Sequence, residues 1–120
     1  MMREIKFKGK RVDNGEWVYG YLTKYPNGAS NILNYNNKGF FKVFKVHPET
    51  VGQYTGLKDK NGVEIYEGDL LFVCAGYYST VSFQDSMFVS IYKHPEDGET
   101  IELFDAIGKQ TEVIGNIHDK

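Results

Sequence analysis

The residues that could do chemistry are few, and most are carboxylates. Glu64, Glu67 and Asp69 form the best cluster. In a strand, Glu67 and Asp69 project to one side, which suits a paired acid and base or a cation site. A charged strand start that keeps a turn solvated and discourages edge pairing accounts for the same residues without a reaction, and is the simpler reading. His47, His94 and His118 are scattered, the first two directly before prolines, and none has the H-x-x-x-H or H-E-x-x-H spacing of a metal site. Cys74 stands alone, which excludes an internal disulfide and any zinc site built on two thiolates. Within Leu71-Phe72-Val73-Cys74-Ala75 it reads as a small buried hydrophobe. Ser79, Ser82, Ser86 and Ser90 have no nucleophile elbow around them, and the glycines lie between apparent strands rather than opening a helix. The expectation is a protein that is not an enzyme, with no catalytic residue, no cofactor and no metal.

A second group of residues suits binding. Arg3, Lys6, Lys8, Lys10 and Arg11 precede Trp17, Tyr19 and Tyr21. Cations beside aromatic rings suit single-stranded nucleic acid, with charges tracking phosphates and rings stacking on bases. Lys6, Lys8, Lys10, Arg11, Trp17 and Tyr19 are the candidate residues for that role. The rings serve equally well as core. Net charge is −2, unevenly spread: residues 1–60 hold 11 Lys/Arg against 5 Asp/Glu, and residues 61–120 hold 3 against 11. Such asymmetry fits a basic nucleic-acid face, complementary surfaces between subunits, or two halves that neutralise one another.

The elements that position these residues read as strands and turns. Val51–Leu71 contains Gly52, Gly56, Gly62 and Gly68 with apolar residues between them. Asn61-Gly62 predicts a tight hairpin turn with positive φ at successive positions, and Asp59 is placed to bond the backbone ahead of it. Leu70-Leu71-Phe72-Val73 predicts a strand covered on both faces. Asp13-Asn14-Gly15 is a second hairpin signal between a half-buried strand around Ile5 and Phe7 and another over Glu16–Leu22, where Gly20 allows a close approach. Tyr25-Pro26-Asn27-Gly28 is a turn, and Ile32-Leu33 a short weak strand. Phe40–Val46 is a strand with too many apolar residues on both sides to stand open to water, and His47-Pro48 ends it. A turn is expected around Gly76, strands over Thr80–Gln84 and Met87–Lys93 joined near Asp85-Ser86, an acidic turn at His94–Gly98, and a closing strand over Glu112–Ile117. Ile101, Leu103 and Phe104 fit a strand or one helical turn. No segment sustains a helical apolar stripe over three turns.

The central run Gln53-Tyr54-Thr55-Gly56-Leu57-Lys58-Asp59-Lys60-Asn61-Gly62, followed by Glu64-Ile65-Tyr66-Glu67-Gly68-Asp69, resembles the signature of the YopX family of phage and prophage proteins. Arg3–Lys10 and Trp17–Gly20 are similar to that family's opening, and Val113-Ile114-Gly115-Asn116-Ile117 to its close. The chain stops at His118-Asp119-Lys120, where the family runs on with an Asn-Pro-Glu-Leu-like tail. The resemblance implies a phage lineage and no established activity.

Length and composition agree with one domain, 1–120, or two sub-modules (1–50 and 51–120) sharing a core. With 15% aromatic residues and alternating apolar positions, the expectation is all-β with at most one short helix. The expected form is hairpins plus a small bent barrel of Src-homology type in the second half. No apolar run nears the roughly 20 residues of a membrane helix, so a soluble protein of the bacterial host cytoplasm, without membrane contact, is expected. Function is expected to be binding: a self-associating interaction module that engages a phage or host protein, or a single-stranded nucleic-acid-binding factor.

Overall fold

The computed structural model describes residues 5–35, 38–74, 77–84, 87–94, 98–103 and 111–119. All regular structure among them is strand, apart from one 3-10 turn at Pro48–Thr50. The chain divides into two compact units, residues 1–54 and 55–120. The dividing point lies four residues beyond the expected sub-module boundary.

The first unit holds β1 (Phe7–Lys10), β2 (Trp17–Lys24), β3 (Ser30–Tyr35) and β4 (Phe41–Val46), each antiparallel to the next, with the start of β5 (Gly52–Lys58) on the free side of β1. β2 pairs with β1 through Trp17–Gly20 and with β3 through Tyr21–Lys24, so it turns between two neighbours at Gly20. A Cβ at Gly20 would lie 2.0 Å from the carbonyl oxygen of Leu33, so only glycine admits this approach. The end of β4 returns to the end of β1: Val12 N–H donates to the Lys45 carbonyl and His47 N–H to the Lys10 carbonyl, around an isolated Arg11–Val46 bridge. Ile32 and Val46 are fully buried, and Val46 fills the space beside Gly9. The supposedly weak Ile32-Leu33 segment is therefore a full central strand. His47 is extended and Pro48 opens the 3-10 turn, ending β4 as expected; Thr50 fixes the turn by donating to the His47 carbonyl and accepting Lys10 N–H.

The second unit holds the rest of β5, β6 (Glu64–Tyr66) and a five-stranded antiparallel sheet. That sheet contains β7 (Asp69–Cys74), β8 (Tyr77–Gln84), β9 (Met87–His94), β10 (Gly98–Leu103) and β11 (Glu112–Asn116), in the order β10-β9-β8-β7-β11. Ile65, Leu71, Val81 and Phe88 form its core, with Leu57 and Val113 against them. The all-β expectation holds, and among the described residues the sheet does not close into a barrel. Among the described residues β10 and β11 end the sheet on opposite edges, and nothing pairs them. Tyr77–Ser79 belong to β8 rather than to a turn, and Ile101 and Leu103 lie in strand β10. Ala75, Gly76, Asp85, Ser86, Pro95–Asp97, Phe104, Arg3 and the Cys74 side chain fall outside the described residues.

Both glycine turns are hairpin turns, though neither is a two-residue one. In the first, Arg11 N–H donates to the Glu16 carbonyl across a four-residue loop, with Gly15 at φ +75° and Asn14 Oδ1 accepting Glu16 N–H. In the second, Asp59 N–H donates to the Val63 carbonyl and Gly62 N–H to the Asp59 carbonyl, with Gly62 at φ +82°. This is a three-residue loop closing on a left-handed glycine. The Asp59 carboxylate decides the loop length by holding both Asn61 and Val63. Tyr25–Ala29 turns as expected, closed by Gly28 N–H to the Tyr25 carbonyl.

Candidate interaction surface

The β1–β2 register sets Lys8 opposite Tyr19 and Lys10 opposite Trp17. Alternation then brings Lys6, Lys8 and Lys10 to one face with Trp17 and Tyr19. Lys8 Nζ lies 4.5 Å and Lys10 Nζ 5.5 Å from the centre of the Trp17 ring, and Lys6 Nζ lies 5.4 Å from that of Tyr54. The quadrupole of each ring attracts the ammonium above it. Arg11 sits apart, its guanidinium 4.7 Å over Phe44 and bonded to Asp13 at 2.9 and 2.7 Å. The Arg11 hydrogen bond holds the Asp13 carboxyl below its ordinary pKa. Five of the six candidate residues thus assemble and Arg11 does not. Lys8, at 7% exposure, is covered.

The same face continues as an apolar surface. Across β2, β3 and β4 the register aligns Tyr21 with Leu33 and Val43, and Tyr35 with Phe41. The Tyr21 and Tyr35 rings meet edge to face at 5.8 Å, and those of Tyr35 and Phe41 at 5.4 Å. Tyr21, Tyr35, Phe41 and Val43 are each more than half exposed, and Phe40 beside them is 69% exposed. An open groove of about 310 Å³ runs between Lys6, Tyr19, Tyr21 and Tyr35. Another of about 500 Å³ is lined by Trp17, Tyr19, Asn34, Phe40 and Phe41. The apolar excess of Phe40–Val46 was visible in the sequence. The part played by Tyr35 was not, because it sits beside an Asn-rich loop and acquires its neighbours only through pairing with Phe41.

The carboxylate cluster is dispersed. Glu67 lies in the turn between β6 and β7, while Asp69 opens β7 and is 1% exposed. Asp69 Oδ2 accepts Tyr66 N–H at 2.8 Å, and its Oδ1 accepts the Asn116 side-chain amide at 2.9 Å. Glu64 accepts the Tyr66 hydroxyl. Asp69 is therefore a buried structural acceptor rather than a solvated strand start. Asp59, 6% exposed, accepts the N–H groups of Asn61, Val63 and Val113 at 2.8, 2.9 and 2.9 Å. Its burial raises the pKa; the bonds from Val113, Val63 and Asn61, with the Lys60 charge, outweigh burial and hold it below the ordinary value. Ser79 and Ser90 are buried in the sheet, and no group of three metal-ligating side chains exists among the described residues.

The model of the family described as YopX protein matches residues 6–120. The chain belongs to the YopX family. No curated protein matches it. This YopX-family chain is similar in fold to the crystal structure of protein EF1440 from Enterococcus faecalis, at 22% identity and a TM-score of 0.56, over 98% of this chain and 95% of that one. The residues that carry the YopX resemblance have a structural logic of their own. Asp59 and Asp69 in the central run reach Val113 and Asn116 in the closing run, joining segments about fifty residues apart within one unit. Asn116 in turn accepts His118 N–H, and Asp119 accepts Asn116 N–H. The central and closing YopX motifs thus hold the second unit together, while the opening motif supplies β1 and the start of β2.

Proposed function

We propose that this YopX-family protein is a non-catalytic interaction module that acts first by binding copies of itself. It serves a phage or prophage as an accessory protein in the host cytoplasm, where its partner is a phage or host protein. The observation that carries this reading is strand β4. Phe41 and Val43 are exposed there beside Phe40, Tyr35 and Tyr21, at the edge of a sheet. A contiguous apolar face beside a sheet edge that is paired only at its Lys45–His47 end is costly to leave in water and is covered by association. Charge supports a second copy as the cover. Residues 1–54 hold 9 Lys/Arg against 4 Asp/Glu, and residues 55–120 hold 5 against 12, so unlike units attract. Light scattering at micromolar concentration tests this: the expected mass is at least twice that of the chain, and a monomer at every concentration and salt removes the reading.

Single-stranded nucleic acid is the second reading. It is favoured by the groove where Lys6 meets the exposed rings of Tyr19 and Tyr21. It is weakened by the burial of Lys8 and the pairing of Arg11 with Asp13. Fluorescence anisotropy with a labelled oligonucleotide should show binding that falls steeply with salt and is lost when Lys6, Lys10 and Arg11 become Glu. No anisotropy change at low salt rejects it.

A further inference from the structure

Among the described residues, four strands end the two sheet orders: β4 and β6 in one, β10 and β11 in the other. They are not equally open. β6 is three residues long, and Asp69 takes the N–H of its Tyr66. β11 is bulged between Val113 and Gly115; Asp59 takes its Val113 N–H, and Lys60 N–H occupies the Thr111 carbonyl just before it. β4 and β10, six residues each, remain.

We infer that β4 of one copy pairs antiparallel with β10 of a second copy, in the register that sets Lys42 opposite Glu102. This rests on the self-association proposed above and names its interface.

The backbone parity of both strands agrees with this register. Lys45 gives its carbonyl to Val12, away from β3, so alternation turns the N–H and C=O of Phe41 and Val43 to the same outer side. On the other strand, Val81 turns its carbonyl toward β7, where it accepts Gly68 N–H, so alternation points Thr80, Ser82 and Gln84 toward β9 and their partners Ile91, Val89 and Met87 toward β8. Alternation along β9 then points Phe88, Ser90, Tyr92 and His94 toward β10. Their neighbours Gly98, Thr100 and Glu102 point inward, leaving the backbone groups of Glu99, Ile101 and Leu103 outward. Phe41 opposite Leu103 and Val43 opposite Ile101 are therefore both hydrogen-bonding pairs.

The side-chain types match in that register as well. Lys42 and Lys45 are three apart, as are Glu99 and Glu102. Setting Lys42 at Glu102 brings Lys45 to Glu99, Phe41 to Leu103 and Val43 to Ile101, with Phe44 at Thr100. Val12 closes the ladder at Lys45, so the hydrogen-bonded part is Phe41–Val43 against Ile101–Leu103, and Glu99 falls at the register position just beyond it. β4 against itself, centred on Lys42, would set lysine opposite lysine, a destabilising pair. The occupant of each edge is thus the oppositely charged edge of another copy. Such a contact joins unlike surfaces.

Reversing charges in the full-length protein tests the interface. Lys42→Glu with Lys45→Glu, and separately Glu99→Lys with Glu102→Lys, should each weaken self-association at least tenfold in sedimentation equilibrium. An equimolar mixture of the two variants makes both cross-pairings complementary, reversed β4 with reversed β10 and unchanged β4 with unchanged β10, and should recover association, as should the quadruple variant. If the parent associates but both double variants keep its affinity, or neither the mixture nor the quadruple variant recovers it, this interface is wrong while self-association stands. A monomeric parent removes both. Hydrogen exchange on the parent is independent of any variant's folding. The amides of Phe41, Val43, Ile101 and Leu103 should gain protection on going from dilute to associating concentration, and unchanged exchange there overturns the inference.

Discussion

Replacing Asp59 should unfasten the second unit, and the structure gives the size of the effect. The carboxylate accepts three backbone N–H groups, two inside its own loop and one, from Val113, on β11. Asn61 and Val63 are exposed, so water can take their N–H groups after substitution; Val113 is half-buried on β11, where water replaces the bond less readily. Orphaning that donor costs roughly 1–3 kcal/mol, and each exchanged loop bond roughly 0.5–1. Asp59→Ala should therefore lose about 3 kcal/mol, or about 10 °C in Tm at roughly 3–5 °C per kcal/mol for this chain length. Asp59→Asn keeps one acceptor oxygen but turns an NH2 toward a backbone donor, and should lose about 2 kcal/mol. The pH dependence separates a charge effect from a shape effect. An unfolded aspartate titrates near about 3.9, and native Asp59 is held lower. Its stabilisation is complete above the unfolded value and is lost as pH falls through the lowered native value. Urea denaturation of parent and Asp59→Asn at pH 7 and under acid should show a difference that shrinks with acidity. Equal stability at pH 7, or a difference that does not change with pH, would refute the reasoning.

Gly20→Ala should destabilise the first unit by about 3 kcal/mol or more, since the added Cβ meets the Leu33 carbonyl at 2.0 Å with φ at +155°; a thermal melt matching the parent contradicts the close approach. Gly62→Val should cost about 1–3 kcal/mol through backbone strain alone, because the position is open but φ is +82°, and an unchanged Tm would mean that the turn differs. Asn116→Ala removes one hydrogen-bond donor from buried Asp69 and should cost about 1–3 kcal/mol by denaturant titration. Chelator should leave the melting temperature unchanged, and a clear fall would reveal a metal site.

Local rules carried much of the architecture. Alternation in Trp17–Leu22 and Glu64–Tyr66, the glycine turns, and the stop at His47-Pro48 are properties of short stretches, and they specify strands and turns wherever the chain folds. Loop length was not local, because Asp59 fixes the second hairpin with a side chain that also holds β11. The burial of Asp69 is not local for the same reason. Tyr66 N–H is a near neighbour, but a second donor comes from Asn116, 47 residues later, and buried carboxylate oxygens need such partners. That the five-stranded sheet does not close among the described residues is likewise a matter of twist and register summed over strands. The basic and aromatic residues of β1 and β2 were legible as a group because a hairpin brings near neighbours together. Tyr21, Tyr35 and Phe41 became one surface only when three strands aligned. The sequence by itself determined the strand composition, the family and the charge imbalance, which depend on residue type and spacing. Tertiary structure alone decided which carboxylates are buried and which rings remain in water, because burial belongs to the packed chain and not to any residue in it.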